Sequence, residues 1–311
     1  EQMQARAEAF SRSADARRRD VLTMVRRAWL EVYYAQQAWS VVNESRPFFD
    51  DLVTITRSMY GVGRKTQHDV LRAELELSRL DDRLIEASRA RAEAQAALSR
   101  WLGQDAYRPI AQKLPAWESV PMLEDLRNGL GSHPSLAAAQ ASIDAKETAV
   151  DIAEENKKPE WALDLAYGYR DGFLPDGTPR SDFVSLSVTV GLPFFGENRQ
   201  DRKLAAALSE HRAARYSQHE LSARLKSELA AEYARWTDLT RRLALYETLI
   251  LEQSKGQAQA ALLAYQSDTG DFSDVMRGYI DDLNTRLEHI RLRVERAQSY
   301  ATLANLGGLE Q

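Results

Sequence analysis

Residues 160–199, EWALDLAYGYRDGFLPDGTPRSDFVSLSVTVGLPFFGENR, give the most specific indication of the fold. In the first part the odd positions from Trp161 to Tyr169 are apolar, and in the second the even positions from Val184 to Phe194 are apolar. Period-two alternation over about ten residues predicts a strand with one face in hydrocarbon and the other in water. The connecting residues 171–181 carry Asp-Gly turn signals, which predict an antiparallel pair.

The same pattern is open to a second interpretation, a soluble amphipathic hairpin lying on a helical core. Two strands, however, leave their own edges unpaired, and an isolated hairpin is marginal in water. The pair therefore needs further strands, from other copies or from sequence beyond this chain. The side chains predicted to face lipid are Trp161, Leu163, Leu165, Val184, Leu186, Val188 and Val190.

Composition indicates a folded, helix-rich protein. The 311 residues are 44% hydrophobic and 28% charged, with a formal net charge of −5. The acidic balance argues against a nucleic-acid partner, and the arginines between Arg6 and Arg27 are most simply a solvated helix face.

The sequence lacks the residues or motifs that several chemical functions require. The chain has no cysteine, which excludes disulfides, thiolate metal sites and a cysteine nucleophile. None of the five histidines forms a His-x-x-x-His pair, and no phosphate loop or nucleophile elbow is found. We therefore predict no enzyme activity, no cofactor and no metal site.

Membrane and targeting signals are confined to the strand pair. No run of eighteen apolar residues predicts a transmembrane helix. No signal peptide is visible at Glu1, and we expect that the beginning of the natural protein is missing from this sequence.

Long helices are predicted on both sides of the strands. Apolar residues recur at three- and four-residue spacing, and Pro47 is expected to kink or interrupt the first helix. Gly103 ends the second, whose Leu77, Leu80 and Leu84 begin a coiled-coil-like seam. The predicted helices cover residues 3–59, 67–102, 122–130, 134–157, 199–265 and 272 onward.

An internal repeat links the two ends of the sequence. Shifted by 205 positions, Tyr60–Gly103 aligns without gaps on Tyr265–Gly308. The shared residues include the tyrosine, an Asp-Val pair at Asp69 and Asp274, and the closing glycine. Only the second copy is preceded by a hairpin, so the hairpin of the first copy is expected upstream of Glu1.

These motifs resemble the TolC family of outer-membrane efflux channels. The resemblance rests on the Tyr-x-x-Gly reversal, the Asp-Val pair, Lys158-Pro159-Glu-Trp161 and Leu192-Pro-Phe-Phe-Gly-Glu-Asn-Arg199. The short turn and Leu-Pro-Phe-Phe exit are similar to the CzcC-like and CusC-like heavy-metal branch. The implied fold is mainly α, with very long coiled-coil-like helices forming an α-barrel and one β-hairpin contributing to a transmembrane β-barrel.

The resemblance also implies an assembly. It predicts a homotrimer in outer-membrane lipid, with a long periplasmic extension that meets an adaptor protein and an inner-membrane pump. The predicted parts are residues 1–132 (first-repeat helical hairpin and equatorial segment), 133–159 (second-repeat helix), 160–195 (transmembrane hairpin) and 196–311 (second-repeat helical hairpin).

Site residues follow from the same resemblance, at the two helix reversals. The implied periplasmic entrance and gate consists of Asp274, Arg277, Tyr265, Asp69 and Lys65. The implied adaptor-contacting tips are Gly61, Val62, Gly63, Arg64, Thr269 and Gly270.

The sequence departs from the family pattern at two of these positions. Gly270 stands where a basic residue is expected, and Arg277 stands where a second acidic residue is expected. Asp274 has two interpretations, a ring of carboxylates around a three-fold axis or an acid stabilised by the helix dipole. Gly61, Gly63 and Gly270 are favoured as backbone-geometry residues.

The predicted function is a passive exit duct of a tripartite system that expels small solutes such as metal cations or drugs. One alternative is a type I secretion channel of the same family, which passes polypeptide. Another is a soluble coiled-coil scaffold with a β-hairpin oligomerisation arm.

Overall fold

The computed structural model describes residues 2–117, 119–175, 177–192 and 199–308, with the side chains of residues 2, 5 and 6 excepted. Seven α-helices and two strands account for most of this part of the chain. In order they are α1 (Gln2–Gly61), α2 (Gln67–Leu102), α3 (Leu123–Leu130), α4 (Pro134–Glu155), β1 (Glu160–Gly168), β2 (Phe183–Gly191), α5 (Gln200–Leu245), α6 (Leu251–Gln266) and α7 (Phe272–Gly307).

These bounds confirm the mainly helical fold and nearly every predicted element. A short 3-10 helix, Gly103–Tyr107, also follows α2. Pro47 lies inside α1 and does not end it, so an interruption at this residue is wrong, and a kink there stays a prediction. A proline within a helix removes one amide donor, and the helical pattern on both sides of Pro47 is continuous enough to absorb that loss.

The predicted single helix over residues 199–265 is not regular throughout. Between α5 and α6, Tyr246–Ile250 form a π-helical turn in which the amide of Leu251 donates to the carbonyl of Tyr246. Such a turn accommodates one extra residue, which rotates the side chains that follow relative to those before. Apolar periodicity alone does not reveal this shift, because both flanking segments keep normal helical spacing.

The chain divides into two compact units. We call Glu1–Ala16 with Pro134–Arg224 the strand-containing unit, and Arg17–His133 with Leu225–Gln311 the helical unit. The four contiguous parts expected from the sequence remain a prediction.

Apolar side chains from four helices form the main core of the helical unit. α1 and α2 contribute one helical hairpin, and α6 and α7 contribute the other. α7 is the most buried of these helices and also packs against Leu30, Tyr33, Leu239 and Leu243. The main cluster is Val41, Val42, Phe49, Leu52, Val53, Ala73, Leu80, Tyr265, Phe272, Val275, Met276, Leu283 and Ile290.

The helical unit confirms the internal repeat. α2 and α7 are both 36 residues long, and their first residues, Gln67 and Phe272, are 205 positions apart. Each helix is about 54 Å long at about 1.5 Å per residue. Gly103 and Gly308 follow the two helices at equivalent positions and both adopt positive φ, 57° and 67°.

In the strand-containing unit, polar contacts join α4 to the first part of α5. Lys146 lies 2.7 Å from Glu210, and the amide of Gln218 donates to Gln140 at 2.8 Å. Lys157, just beyond α4, pairs with Asp201 at 2.6 Å. The two strands therefore leave and return to a pair of helices that are fixed to each other near the base of the sheet.

Among the described helices, none combines the length and the apolar character that a membrane crossing requires.

Candidate functional site

The strands pair in the register that joins their apolar faces. β1 and β2 are antiparallel, with Trp161 opposite Val190 and Leu165 opposite Leu186. Directly opposed residues project from the same face of an antiparallel sheet. All seven side chains predicted to face lipid are therefore on one face of the hairpin, as the sequence predicts.

This apolar face is uncovered. Leu165 is 73% exposed and Leu186 is 66% exposed, although leucine is among the residues most often buried. Trp161 and Tyr167 are also exposed and place aromatic rings towards the two ends of the face. A soluble hairpin lying on a helical core requires this face to be covered by the chain's own helices, but it is exposed in the part of the chain that the structure describes.

The opposite face carries small and polar side chains. Asp164 is opposite Ser187, and Ala162 is opposite Thr189. These residues are exposed as well. A sheet with one hydrocarbon-like face and one water-compatible face has the pattern of a transmembrane barrel strand pair.

The connection between the strands is a built turn. Gly172 and Gly177 adopt positive φ, and Phe173 forms an isolated bridge with Pro179. The Tyr167 hydroxyl donates to the carboxylate of Asp182, which also accepts from the amide of Arg170 at 3.0 Å. Both predicted turn glycines therefore have the expected role. The exit motif at residues 193–198 and the 195/196 boundary lie outside the described residues.

The second group of predicted site residues lies at two helix reversals in the helical unit. We call Tyr60–Thr66 the first tip and Tyr265–Asp271 the second tip. Both close with the same three backbone hydrogen bonds. In the first tip the amide of Val62 donates to the carbonyl of Ser58 at 3.3 Å, that of Gly63 to Tyr60 at 2.9 Å, and that of Arg64 to Met59 at 2.9 Å. In the second tip the amide of Ser267 donates to the carbonyl of Leu263 at 3.0 Å, that of Asp268 to Tyr265 at 3.2 Å, and that of Thr269 to Ala264 at 2.9 Å.

The equivalent turns carry different residues at their strained position. Gly63 has φ 74°, and Asp268, 205 positions later, has φ 62°. Asp268 is the non-glycine residue with positive φ in the described part of the chain. Aspartate tolerates this left-handed conformation better than most residues do. The second tip thereby gains a carboxylate where the first has no side chain.

Lys65 of the first tip binds that carboxylate. Its ammonium lies 2.8 Å from Asp268 and 4.5 Å from the ring centre of Tyr265. The hydrogen bond to Asp268 raises the pKa of Lys65, and the same bond lowers the pKa of Asp268. The Lys65 side chain is only 14% exposed. A partly buried contact thus joins the two tips. The site residues predicted from the sequence include Lys65 but not Asp268.

Tyr265 and Asp69 have structural partners in this arrangement. Tyr265 is fully buried, packs edge-on against Phe272, and has its pKa raised by that burial. Asp69 caps α2: its carboxylate accepts from the amide of Thr66 at 3.0 Å, while the Thr66 hydroxyl accepts from the amide of Asp69. Such a reciprocal capping box satisfies two amides at the helix start.

Asp274 and Arg277 lie in the first turns of α7 and face solvent. Their side chains are 62% and 70% exposed, and their charged groups are 3.9 Å apart. Arg72 of α2 donates to the Ser273 hydroxyl at 2.6 Å, next to Asp274. Exposure leaves the Asp274 carboxylate available to groups outside this chain.

The residues predicted to contact an adaptor lie in the two tips. Val62 is exposed despite its apolar side chain, and Arg64 and Thr269 are exposed as well. Gly61 has open space where a side chain would begin, whereas a Cβ on Gly270 would lie 2.9 Å from that of Ala264. Gly270 therefore occupies a crowded position that admits no lysine or arginine without local movement.

Sequence reasoning did not identify Asp268. The internal alignment at a shift of 205 positions contains the signal, because it places this aspartate on the left-handed glycine of the first tip. The pairing with Lys65 follows only when the two tips are adjacent. Over the residues that the structure describes, no group of three or more histidine and carboxylate side chains has a metal-binding arrangement.

Comparison with known proteins agrees with the geometry. Residues 126–309, more than half of the chain, match the family model described as Outer membrane efflux protein. Protein CyaE of Bordetella pertussis is 27% identical over 322 aligned positions, which cover 98% of this chain and 66% of that protein. The chain thus spans just under two thirds of this relative's length.

Solved structures share the fold at lower sequence identity. The outer-membrane channel OprN superposes with a TM-score of 0.87 at 18% identity, covering 99% of this chain and 70% of its own. The outer membrane protein VceC of Vibrio cholerae gives 0.83 at 21%, covering 97% and 72%. CusC gives 0.88 at 15%, covering 98% and 72%. These likenesses confirm the fold, and the family match confirms the resemblance drawn from the motifs: the chain belongs to the outer membrane efflux protein family.

Proposed function

We propose that this chain is a subunit of a passive exit duct in the outer membrane. The observation that carries the proposal is the exposed apolar face of the β-hairpin, seven side chains in register with no cover. Burying such a surface in lipid is favourable by about 25 cal/mol per Å². The opposite, polar face would line a water-filled route.

The strand dimensions support a membrane crossing. β1 and β2 are nine residues each, and transmembrane strands need about 9–11 residues. Nine residues at about 3.4 Å, tilted by about 45°, span roughly 22 Å, close to the apolar band of about 25 Å in outer-membrane barrels. Both edges of this two-stranded sheet need partner strands. In the proposed homotrimer these come from other copies or from sequence beyond this chain.

The helical unit supplies the periplasmic part of the duct. Its two helical hairpins bury their own apolar faces, which makes them suitable as rigid walls. We place the periplasmic entrance at the tips. Asp274 is the group proposed to line it, because its carboxylate is exposed, and three copies around an axis would form a ring that attracts cations. Arg277, close to each Asp274, would weaken that attraction.

The proposed roles of the remaining tip residues follow their environments. Lys65, Asp69 and Tyr265 act by holding the tips in shape, because each has a partner within this chain. Gly61, Val62, Gly63, Arg64, Thr269 and Gly270 form the outer surface offered to a periplasmic adaptor protein, which would connect the duct to an inner-membrane pump. The pump supplies the transport energy, and the duct has no reaction to catalyse.

The proposed cargo is a small solute such as a metal cation or a drug, and placement in the heavy-metal branch remains a prediction. Deleting the gene in its own bacterium tests this. We expect greater sensitivity to metals or drugs, restored by the intact gene. Loss of an exported protein with unchanged sensitivity would instead establish the polypeptide channel, and recovery of the gene product in the soluble fraction would establish the scaffold.

A further inference from the structure

We propose that the base of the β-hairpin binds a phosphate group, through a cationic cavity of about 270 Å³. The cavity lies where β1 begins, β2 ends and α5 begins. Of the described residues, Lys158, Arg199 and Lys203 line it together with the carboxylate of Glu160. All of these residues are in the strand-containing unit.

The local charge balance favours an anion. Among the lining residues that the structure describes, three carry cationic side chains and one carries an anionic side chain. The nearby Asp201 is occupied by Lys157 at 2.6 Å, so its carboxylate is already neutralised by a residue outside the lining. Lys158 pairs with Glu155 at 2.5 Å, but both side chains are about two-thirds exposed, and exposed pairs of this kind exchange partners at little cost.

The donors suit phosphate in kind as well as in charge. The planar guanidinium of Arg199 matches two phosphate oxygens, whereas lysine ammonium groups act as point charges. Gln200 and Asn156 add amide donors to the lining. Arg199 immediately precedes α5, and Lys203 lies in its first turn, where the helix dipole adds positive potential to that of the side chains.

Two sources offer this chemistry, the headgroup of an anionic phospholipid and a free phosphate group on a soluble solute. The lipid source is consistent with the neighbouring apolar face, which begins at Trp161 and Val190 next to the cavity. That source rests on the proposed function. The soluble source does not, because a cationic cavity binds phosphate whether or not the hairpin enters a membrane.

The test uses the full chain in detergent. Calorimetric titration with sodium phosphate measures the free anion, and native mass spectrometry compares retention of phosphatidylglycerol with that of zwitterionic phosphatidylcholine. The cavity variant combines Lys158→Gln, Arg199→Gln and Lys203→Gln. The matched control combines Arg202→Gln, Arg212→Gln and Arg215→Gln, which removes the same charge from exposed positions on α5 outside the cavity.

We expect phosphate or phosphatidylglycerol to bind, and the cavity variant to lose about tenfold or more in affinity while the control changes by about twofold or less. Rising salt should weaken the interaction in the unmodified chain. Selective retention of phosphatidylglycerol assigns the lipid source, and binding of free phosphate that displaces the lipid assigns the soluble one. Absence of both, or equal losses in the two variants, overturns the proposal. Membrane insertion, measured separately by fractionation, tells failure of the duct from failure of this site.

Discussion

The β-hairpin and the helical unit use the same residue types in opposite ways. Leu165 on the hairpin is 73% exposed, whereas Leu283 on α7 is 2% exposed. In the helical unit, helices cover one another and the apolar surface is buried within the chain. The hairpin has no such cover, so its apolar face is stabilised only by a phase or partner outside the chain. The helical unit therefore buries its apolar surface within the chain, whereas the hairpin depends on its surroundings to cover its own.

The largest effect is expected from truncating Leu283, which is buried in the core of the helical unit. We expect Leu283→Ala to lower the free energy of unfolding by about 2–5 kcal/mol, because a cavity is left in the helical core. Thermal unfolding followed by circular dichroism measures it. Leu263→Ala is the matched control, since Leu263 on α6 is 64% exposed, and its effect should stay within about 0.5 kcal/mol. Equal losses at the two leucines would contradict the assigned burial.

A charge on the apolar face of the hairpin should prevent its insertion into a membrane. Leu165→Arg places a guanidinium near the middle of the apolar face, at a cost of about 2–4 kcal/mol for membrane insertion. We expect the variant to leave the membrane fraction while its helical circular dichroism in detergent is unchanged. Ser187→Arg introduces the same charge on the opposite face and should remain inserted. Retention of Leu165→Arg in the membrane would count against lipid contact.

The sequence predicts much of this contrast because both regions have strong periodicity. Alternation from Trp161 to Tyr167 fixes the face of β1, and three- and four-residue spacing identifies α7. What the sequence did not predict depends on contacts between distant residues or on a one-residue change of helical geometry. The ion pair of Lys65 with Asp268 is of the first kind, and the π-turn at Tyr246–Ile250 is of the second.

The tips show the same division at the scale of single residues. The spacing Thr66-x-x-Asp69 is typical of a capping box and could have predicted the cap, although the family resemblance placed Asp69 at the entrance. Burial of Tyr265 was not predictable, because a tyrosine before a turn is compatible with both a pore and a core. Packing against Phe272 decides it.

The backbone geometry of the first tip gives a further prediction for the stability of the helical unit. Gly63→Ala should lower the free energy of unfolding by about 1–2 kcal/mol, because a side chain is strained at φ 74° although open space surrounds the new methyl group. Gly61→Ala is the control: it lies at the end of α1, also in open space, and should be neutral or stabilising by up to about 1 kcal/mol. Chemical denaturation of both variants checks this, and a harmless Gly63→Ala would show that the turn can rearrange.

The contact between the tips should have the smallest effect and a defined pH dependence. Lys65→Met removes the partner that lowers the pKa of Asp268, so the unmodified chain should be the more stable at neutral pH. Because the pKa of Asp268 is depressed, the stabilisation that its carboxylate gives is fully present at a pH above the ordinary pKa of 3.8. This stabilisation is lost as the pH falls through the lower pKa of the folded state. The raised pKa of Lys65 keeps that contribution intact until the pH exceeds its ordinary 10.5.

Melting temperatures at pH 7 and pH 3 measure this dependence. We expect the difference in melting temperature between the unmodified chain and Lys65→Met to be smaller at pH 3 than at pH 7. Lys226→Met, an exposed lysine on α5 in the same unit, serves as the control and should show little difference at either pH. A gap between the unmodified chain and Lys65→Met that is constant with pH would mean that Asp268 does not provide the stabilisation.

Single-cysteine labelling of the hairpin tests most directly whether its apolar face contacts lipid. The chain has no cysteine of its own, so each introduced thiol carries the only spin label. In bilayers we predict that labels at positions 163, 165, 186 and 188 are relaxed by oxygen, which concentrates in lipid. Labels at 164, 166, 185 and 187 should respond instead to a water-soluble nickel chelate. Uniform access of the chelate to all eight positions would contradict the account.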